Sequence, residues 1–236
     1  MKTIALLILL ALMIPTQWLI AQKNVADTHL LHLNFKPTFN KKLLNNNTWY
    51  ITAQGDSVKI ELIKLYISNI EVYNKNKSVF KEPNSYHLLN SNEPNSFTID
   101  IPVTTTKNIS HIAFKLGVDS VASMSGALDG DLDPAKGMYW AWQSGYINLK
   151  VEGISPSCAT RKHQFEYHIG GFMYPNNALR YTKIKVKKLQ KNTIVVDMDM
   201  ARFFKNIDLT SLNSVMIPGK AAMQIADQAI KIFSVQ

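Results

Sequence analysis

Between Lys59 and Tyr73 the chain reads KIELIKLYISNIEVY, and no other stretch says as much about the fold. It is dense in Ile, Leu, Val and Tyr, the residues that suit a pleated, half-buried surface. Upstream, Leu31, Leu33 and Phe35 alternate with His32 and Asn34. A strand there turns its apolar side chains one way and its polar ones the other. Further short strand candidates follow at 97–103, 109–118, 146–152, 164–169, 183–187 and 193–200, and the gaps carry Asn, Gly, Pro and Ser, which mark turns. The pattern predicts an all-β chain, an antiparallel β-sandwich or open barrel, with one or two short helices near the C-terminus. Asp208 is placed to cap a brief turn from Thr210 to Ser214. Over 220–233, Ala222, Ile225, Ala226, Ala229 and Phe233 recur at helical spacing, so an amphipathic helix is expected to pack on the sheet.

The N-terminus speaks for export. Met1-Lys2 is a short basic start, Ile4 to Ile14 is apolar without a break, Pro15 interrupts it, and Ala21 is a small residue before Gln22. That order is the order of a secretory signal peptide. The apolar run is too short for a stable bilayer anchor. The expectation is a signal peptide over 1–21, cleaved near Ala21, and a single β domain over 22–236. It would be periplasmic or secreted, with no membrane span in the mature chain. No cysteine lies near Ala21 to take a lipid.

Hydrophobic residues are 46% of the chain and charged residues 18%, a balance that excludes disorder. The formal charge is +9, but the basic residues are dispersed. Lys183, Lys185, Lys187 and Lys188 lie along one strand-like segment, where alternate lysines suit a solvated face or a guarded sheet edge. No nucleic-acid module accompanies them. Cys158 is the single cysteine, so no intrachain disulfide can form. Such a thiol is buried and inert, paired with another chain, or a soft metal ligand.

One segment looks unlike scaffold. From Gly117 to Gly153 the chain holds two of its four tryptophans, two of its nine methionines and four aspartates. If 138–142 is extended, Met138, Trp140 and Trp142 share one face, with Tyr139 and Ala141 on the other. A thioether beside two indoles serves as core packing or as a soft binding surface. Just before it, Asp129, Asp131 and Asp133 alternate like the opening of a calcium loop. Pro134 stands where such a loop needs Gly, and Trp140 where it needs its bidentate Glu, so an EF-hand is excluded. An irregular calcium site and plain turn-forming aspartates both remain as readings.

Six histidines are present, and none forms a pair at strong metal-ligand spacing. His29 and His32 are three apart and face opposite ways on a strand. In QFEYHIGG, Phe165, Tyr167 and Ile169 alternate towards a core, leaving Glu166 and His168 on the other face, where Gly170-Gly171 offers the imidazole little cover. No nucleophile elbow, phosphate loop, dinucleotide fingerprint or zinc signature appears, and Asp119-Ser120 alone carries no chemistry. The chain reads as a non-enzyme.

These residues also resemble a known family. LYISNIEVY, SYHLL, GVDS with SGALDGDLDPAKGMYWAWQSGYINLKVEG, FEYHIGG and VMIPGKAAMQIA follow one another as in the MbnP-like family, named for copper proteins encoded beside methanobactin genes. The likeness spans most of the mature chain, and its central motif is long. It implies an exported β-rich protein that binds copper. In some members a tryptophan oxidised to kynurenine helps hold the metal together with His and Met side chains. That change is attributed to a partner, a di-haem peroxidase resembling MauG.

Carried onto this chain, the resemblance makes Trp140 and Trp142 the tryptophans inside the motif, without saying which is modified. Met138 offers a soft sulfur suited to Cu(I), and His168 in the second motif offers imidazole. His32 is the candidate for a second imidazole, with His87 of SYHLL a further one. The C-terminal motif has Pro218 and Gly219 and no histidine nearby, so the second imidazole has no motif to fix it. The competing reading is a metal-free cell-envelope interaction domain that uses Trp140, Trp142 and Tyr146 as a ligand or partner surface.

Overall fold

A computed structural model describes residues 28–142, 145–187 and 189–235. The expected signal peptide and Lys188 lie outside the described residues. The apolar stretch that opened the sequence reading forms the strand Ser57–Asn74, which is bent rather than straight. Its register shifts between Ile60 and Leu62 and again between Ser68 and Glu71. Each shift changes which side chains point inward. Val58 and Ile60 face the core, then Ile63, Leu65 and Ile67, then Ile70 and Val72. Lys64, Tyr66 and Ser68 are left on the outer face.

One edge of this strand pairs first with Ile147–Ile154 and then with Ile109–Leu116. Tyr86–Asn90 and Lys77–Lys81 take the opposite edge. Gln164–Gly170 extends the sheet beyond Ile147–Ile154, and Arg180–Lys185 closes its other end. Tyr181, Lys183 and Lys185 are exposed along that edge strand, the guarded edge that the alternate lysines predict. With the short strands Tyr50–Ile51 and Ser214–Val215, this makes a nine-stranded sheet among the described residues. The five-stranded sheet opposite it is built on His29–Phe39, which pairs in parallel with Thr193–Asp199 and antiparallel with Thr98–Val103.

The two curled sheets face each other across the main core, and the expected all-β sandwich is what the chain forms. Phe35 of one sheet meets Phe114 of the other edge-on at 5.7 Å, and Phe233 joins them at 6.3 and 5.0 Å. The sheets are mixed rather than purely antiparallel, because Gln164–Gly170 also takes a parallel neighbour, Ser214–Val215.

The C-terminal helix runs Lys220–Ala229 and buries Ala222, Ile225, Ala226 and Ala229. It ends earlier than its apolar spacing suggests: Phe233 leaves the helical path to enter the strand Phe233–Val235. Asp208 caps only a turn, accepting from the Thr210 backbone N–H at 3.0 Å. A short helix that the sequence reading missed, Met200–Phe204, is capped by Asp199. No helix among the described residues is long and apolar enough to cross a membrane.

Candidate functional site

The segment between Val118 and Tyr146 covers the outer face of the nine-stranded sheet, and polar side chains from the sheet hold it there. Tyr66 Oη donates to the Asp131 carbonyl at 2.8 Å. Lys64 Nζ donates to the Lys136 carbonyl at 2.8 Å, and Lys150 Nζ to the Gly137 carbonyl at 2.7 Å. These ammonium groups stand side by side on adjacent strands, since Lys64 pairs with Lys150 in register. Burial holds the Lys150 ammonium below the usual lysine range, partly offset by Glu152.

The lashed segment ends in a tight hairpin. Ile147 N–H donates to the Met138 carbonyl at 2.8 Å and Trp140 N–H to the Gly145 carbonyl at 2.9 Å. Met138 is fully buried and Trp140 nearly so, in a second apolar cluster outside the main core. The Trp140 ring packs so closely on the sheet that a Cβ at Gly170 would stand 2.7 Å from its Cζ3. The co-facial trio is therefore broken after its second member. The chain turns at Ala141-Trp142, and Trp142 is 63% exposed with its ring 6.0 Å from that of Trp140.

His168 lies on the same outer face, two residues before Gly170, and its register partner is Lys150. The expected accessibility is not seen: His168 is 8% exposed. The two glycines are covered as well, Gly170 by the Trp140 ring and Gly171 by Asn176 and Pro218. Its Nε2 is 2.7 Å from Glu152 Oε1. That hydrogen bond holds the Glu152 carboxyl below the usual glutamate range, against its burial. A carboxylate on one ring nitrogen orients the imidazole and leaves Nδ1 as the free nitrogen, the arrangement found behind metal-bound histidines.

The other candidates stand elsewhere. His32 is on the outer face of the five-stranded sheet, across the core from His168, with Nδ1 2.6 Å from Asp100 Oδ1. His87 Nε2 is 2.9 Å from Glu82 Oε2. Asp131 accepts from Leu88 N–H at 2.9 Å and pairs with Lys136 at 2.7 Å, while Asp133 accepts from Ala135 N–H at 2.8 Å. Asp129 is exposed at the surface. Among the described residues no three His, Cys, Asp or Glu side chains gather as a metal group. Cys158 is buried, and burial pushes its thiol up.

Sequence reasoning missed Lys64, Lys150 and Glu152. Their one signal was alternation: Lys150 and Glu152, like Glu166 and His168, occupy every second place on neighbouring strands. It also missed Asn148, which sits where Ile109–Leu116 and Ile147–Ile154 part. Asn148 Oδ1 accepts from Val118 N–H at 2.9 Å, and its Nδ2 is buried without a partner.

Fold and site together define a class: an all-β sandwich carrying, outside one sheet, a buried indole and thioether and, on the same face, a carboxylate-backed histidine. The family model described as MbnP matches residues 28–217, and the chain belongs to the MbnP family. Among solved structures it is similar to MbnP from Methylosinus trichosporium, with a TM-score of 0.57 and 14% identity over 80% of this chain and 83% of that one. At that identity the likeness is one of fold. Comparison with curated proteins gave no match.

Proposed function

We propose that this chain is an exported, non-catalytic copper-binding protein whose site lies on the outer face of the nine-stranded sheet. The observation that carries the reading is the pair His168–Glu152 at 2.7 Å, lying on the face that the Met138–Trp140 hairpin covers. His168 would supply imidazole and Met138 thioether, a donor set suited to a soft ion. An unmodified indole has no lone pair to offer a metal. Because no cluster of three ionisable ligands exists among the described residues, a third donor has to come from outside that set. Oxidation of Trp140 or Trp142 to kynurenine, by a di-haem partner of the MauG kind, would create one. His32 is left out of the site, since it faces the opposite side of the sandwich.

The test is copper content per chain in protein taken from its native envelope, followed by titration of the metal-free protein with Cu(I) and Cu(II). About one copper per chain, lost with His168→Ala, supports the reading. A protein that takes up neither ion returns the chain to the second reading, a metal-free interaction domain. The observation favouring that alternative is the exposure of Trp142, together with Met173 and Tyr174; the other two residues of its expected surface, Trp140 and Tyr146, are buried. Peptide mass analysis of native protein at Trp140 and Trp142 tests the modification separately.

A further inference from the structure

Beside Trp140 the surface opens into a recess of about 110 Å³, walled by Trp140, Tyr146, Phe172, Met173, Tyr174 and Pro218. Two glycines let its walls come together. Gly145 has φ +131°, and a Cβ there would stand 2.8 Å from the Phe172 ring. Gly171 has φ +120°, and a Cβ there would stand 2.3 Å from the Asn176 carbonyl and 3.0 Å from Pro218. The backbone is thus committed to this shape by positions that only glycine tolerates. At the mouth, Met173 is 60% and Tyr174 98% exposed, large apolar side chains held in water next to an apolar hole.

The lining decides what fits. Among the described residues no charged side chain contributes to it, and Asn176 is the single side-chain amide. An anion would find no cationic donor there. A cation would gain ring faces but no carboxylate, inside a chain of formal charge +9. A neutral ring loses nothing on entry and gains contact with aromatic walls. At about 110 Å³ the recess is smaller than the roughly 150 Å³ dry cavity that holds benzene, so it takes one ring at most, with part of that ring left at the open mouth. We propose that the recess is a binding site for an uncharged, single-ring aromatic compound, with Tyr174 and Met173 as its rim. The inference does not depend on copper.

The probe is phenol, titrated into the metal-free mature protein by calorimetry and saturation-transfer NMR, against benzoate and tetramethylammonium. Saturable phenol binding is expected, with benzoate and tetramethylammonium each much weaker. Tyr174→Ala and Met173→Ala should each weaken phenol binding by about three- to tenfold, the scale of one lost aromatic or thioether contact. Tyr174 is almost wholly solvent-exposed, so its removal leaves folding intact. Trp49→Ala, which removes an exposed indole that forms no part of the lining, should change nothing. The proposal is overturned by absent or unsaturable phenol binding, by equal affinity in the Tyr174 and Met173 variants, or by tetramethylammonium binding tighter than phenol.

Discussion

Gly170→Ala puts the packing of the hairpin to a direct test. The added methyl would stand 2.7 and 2.9 Å from Cζ3 and Cη2 of Trp140, and 2.6 Å from the Tyr146 carbonyl oxygen. Carbon atoms in comfortable contact sit about 3.5–4.0 Å apart, so the indole has to retreat. Swinging the ring relieves only half of the clash, because the carbonyl belongs to the other arm of the same hairpin. Gly170 is not among the glycines of positive φ, so the cost comes from contact and not from backbone strain. Overpacking of this kind costs about 1–3 kcal/mol, and a clash with both arms places it near about 3. For a chain of this length that lowers Tm by about 6–12 °C. The emission spectrum gives an independent readout. Of the tryptophans among the described residues, Trp49 and Trp142 are 48% and 63% exposed, so the blue-shifted component belongs to Trp140. The variant should melt early and emit further to the red. A Tm within about 1 °C of the parent with unchanged emission would show that Trp140 does not rest on Gly170.

Three further outcomes follow from other contacts. Gly117→Ala places a methyl 2.3 Å from Asn148 Cγ at φ +116°, so it should cost more than about 3 kcal/mol in urea unfolding, and a near-parental midpoint would contradict the close packing of Asn148 on Gly117. Asp119→Ala removes the acceptor of Ala122 N–H and of the Tyr86 hydroxyl, at 3.1 and 2.8 Å, and should cost about 1–2 kcal/mol. Glu152 has its folded pKa depressed by the His168 hydrogen bond, so its stabilisation is present above the unfolded value of 4.5 and disappears as pH falls through the folded one. Glu152→Gln should therefore flatten the loss of stability in that acid window while leaving the parts due to Glu82 and Asp119, whose carboxyls are also depressed. Identical acid slopes for parent and variant would refute the assignment.

Most of the fold was legible because alternation survives wherever a strand stays regular. Burial alternates as written over Leu31–Phe35 and Gln164–Tyr167, and it fails at Thr38–Phe39 and at His168–Gly170, where both faces are covered. The long strand was readable as a strand but not in its facing, since its shifts at Ile60/Leu62 and Ser68/Glu71 turn Lys64 and Tyr66 outward without any Gly or Pro to announce them. Parallel pairing was illegible for a related reason: nothing local to Thr193–Asp199 states that its neighbour is His29–Phe39. The C-terminal helix was visible in its apolar spacing. Its end was not, because Phe233 satisfies helical spacing and strand packing equally well.

The site was legible in its residues and illegible in its assembly. Met138 and Trp140 stood out by composition, but their partner is a position without a side chain, and a glycine broadcasts no pattern of its own. Read locally, Gly170-Gly171 promised an open strand and an accessible His168. Read as contacts, Gly170 is where the Trp140 ring meets the strand and Gly171 is the close approach to Asn176 and Pro218, and the histidine two residues back is buried. GMYWAW and HIGG, two of the segments that carry the family likeness, are therefore two halves of one interface. Replacing the indole without restoring volume should uncover Gly170, so Trp140→Ala is expected to open the outer face two residues from His168 while removing an apolar contact. That is a reason for an aromatic residue there which holds whether or not a metal is bound.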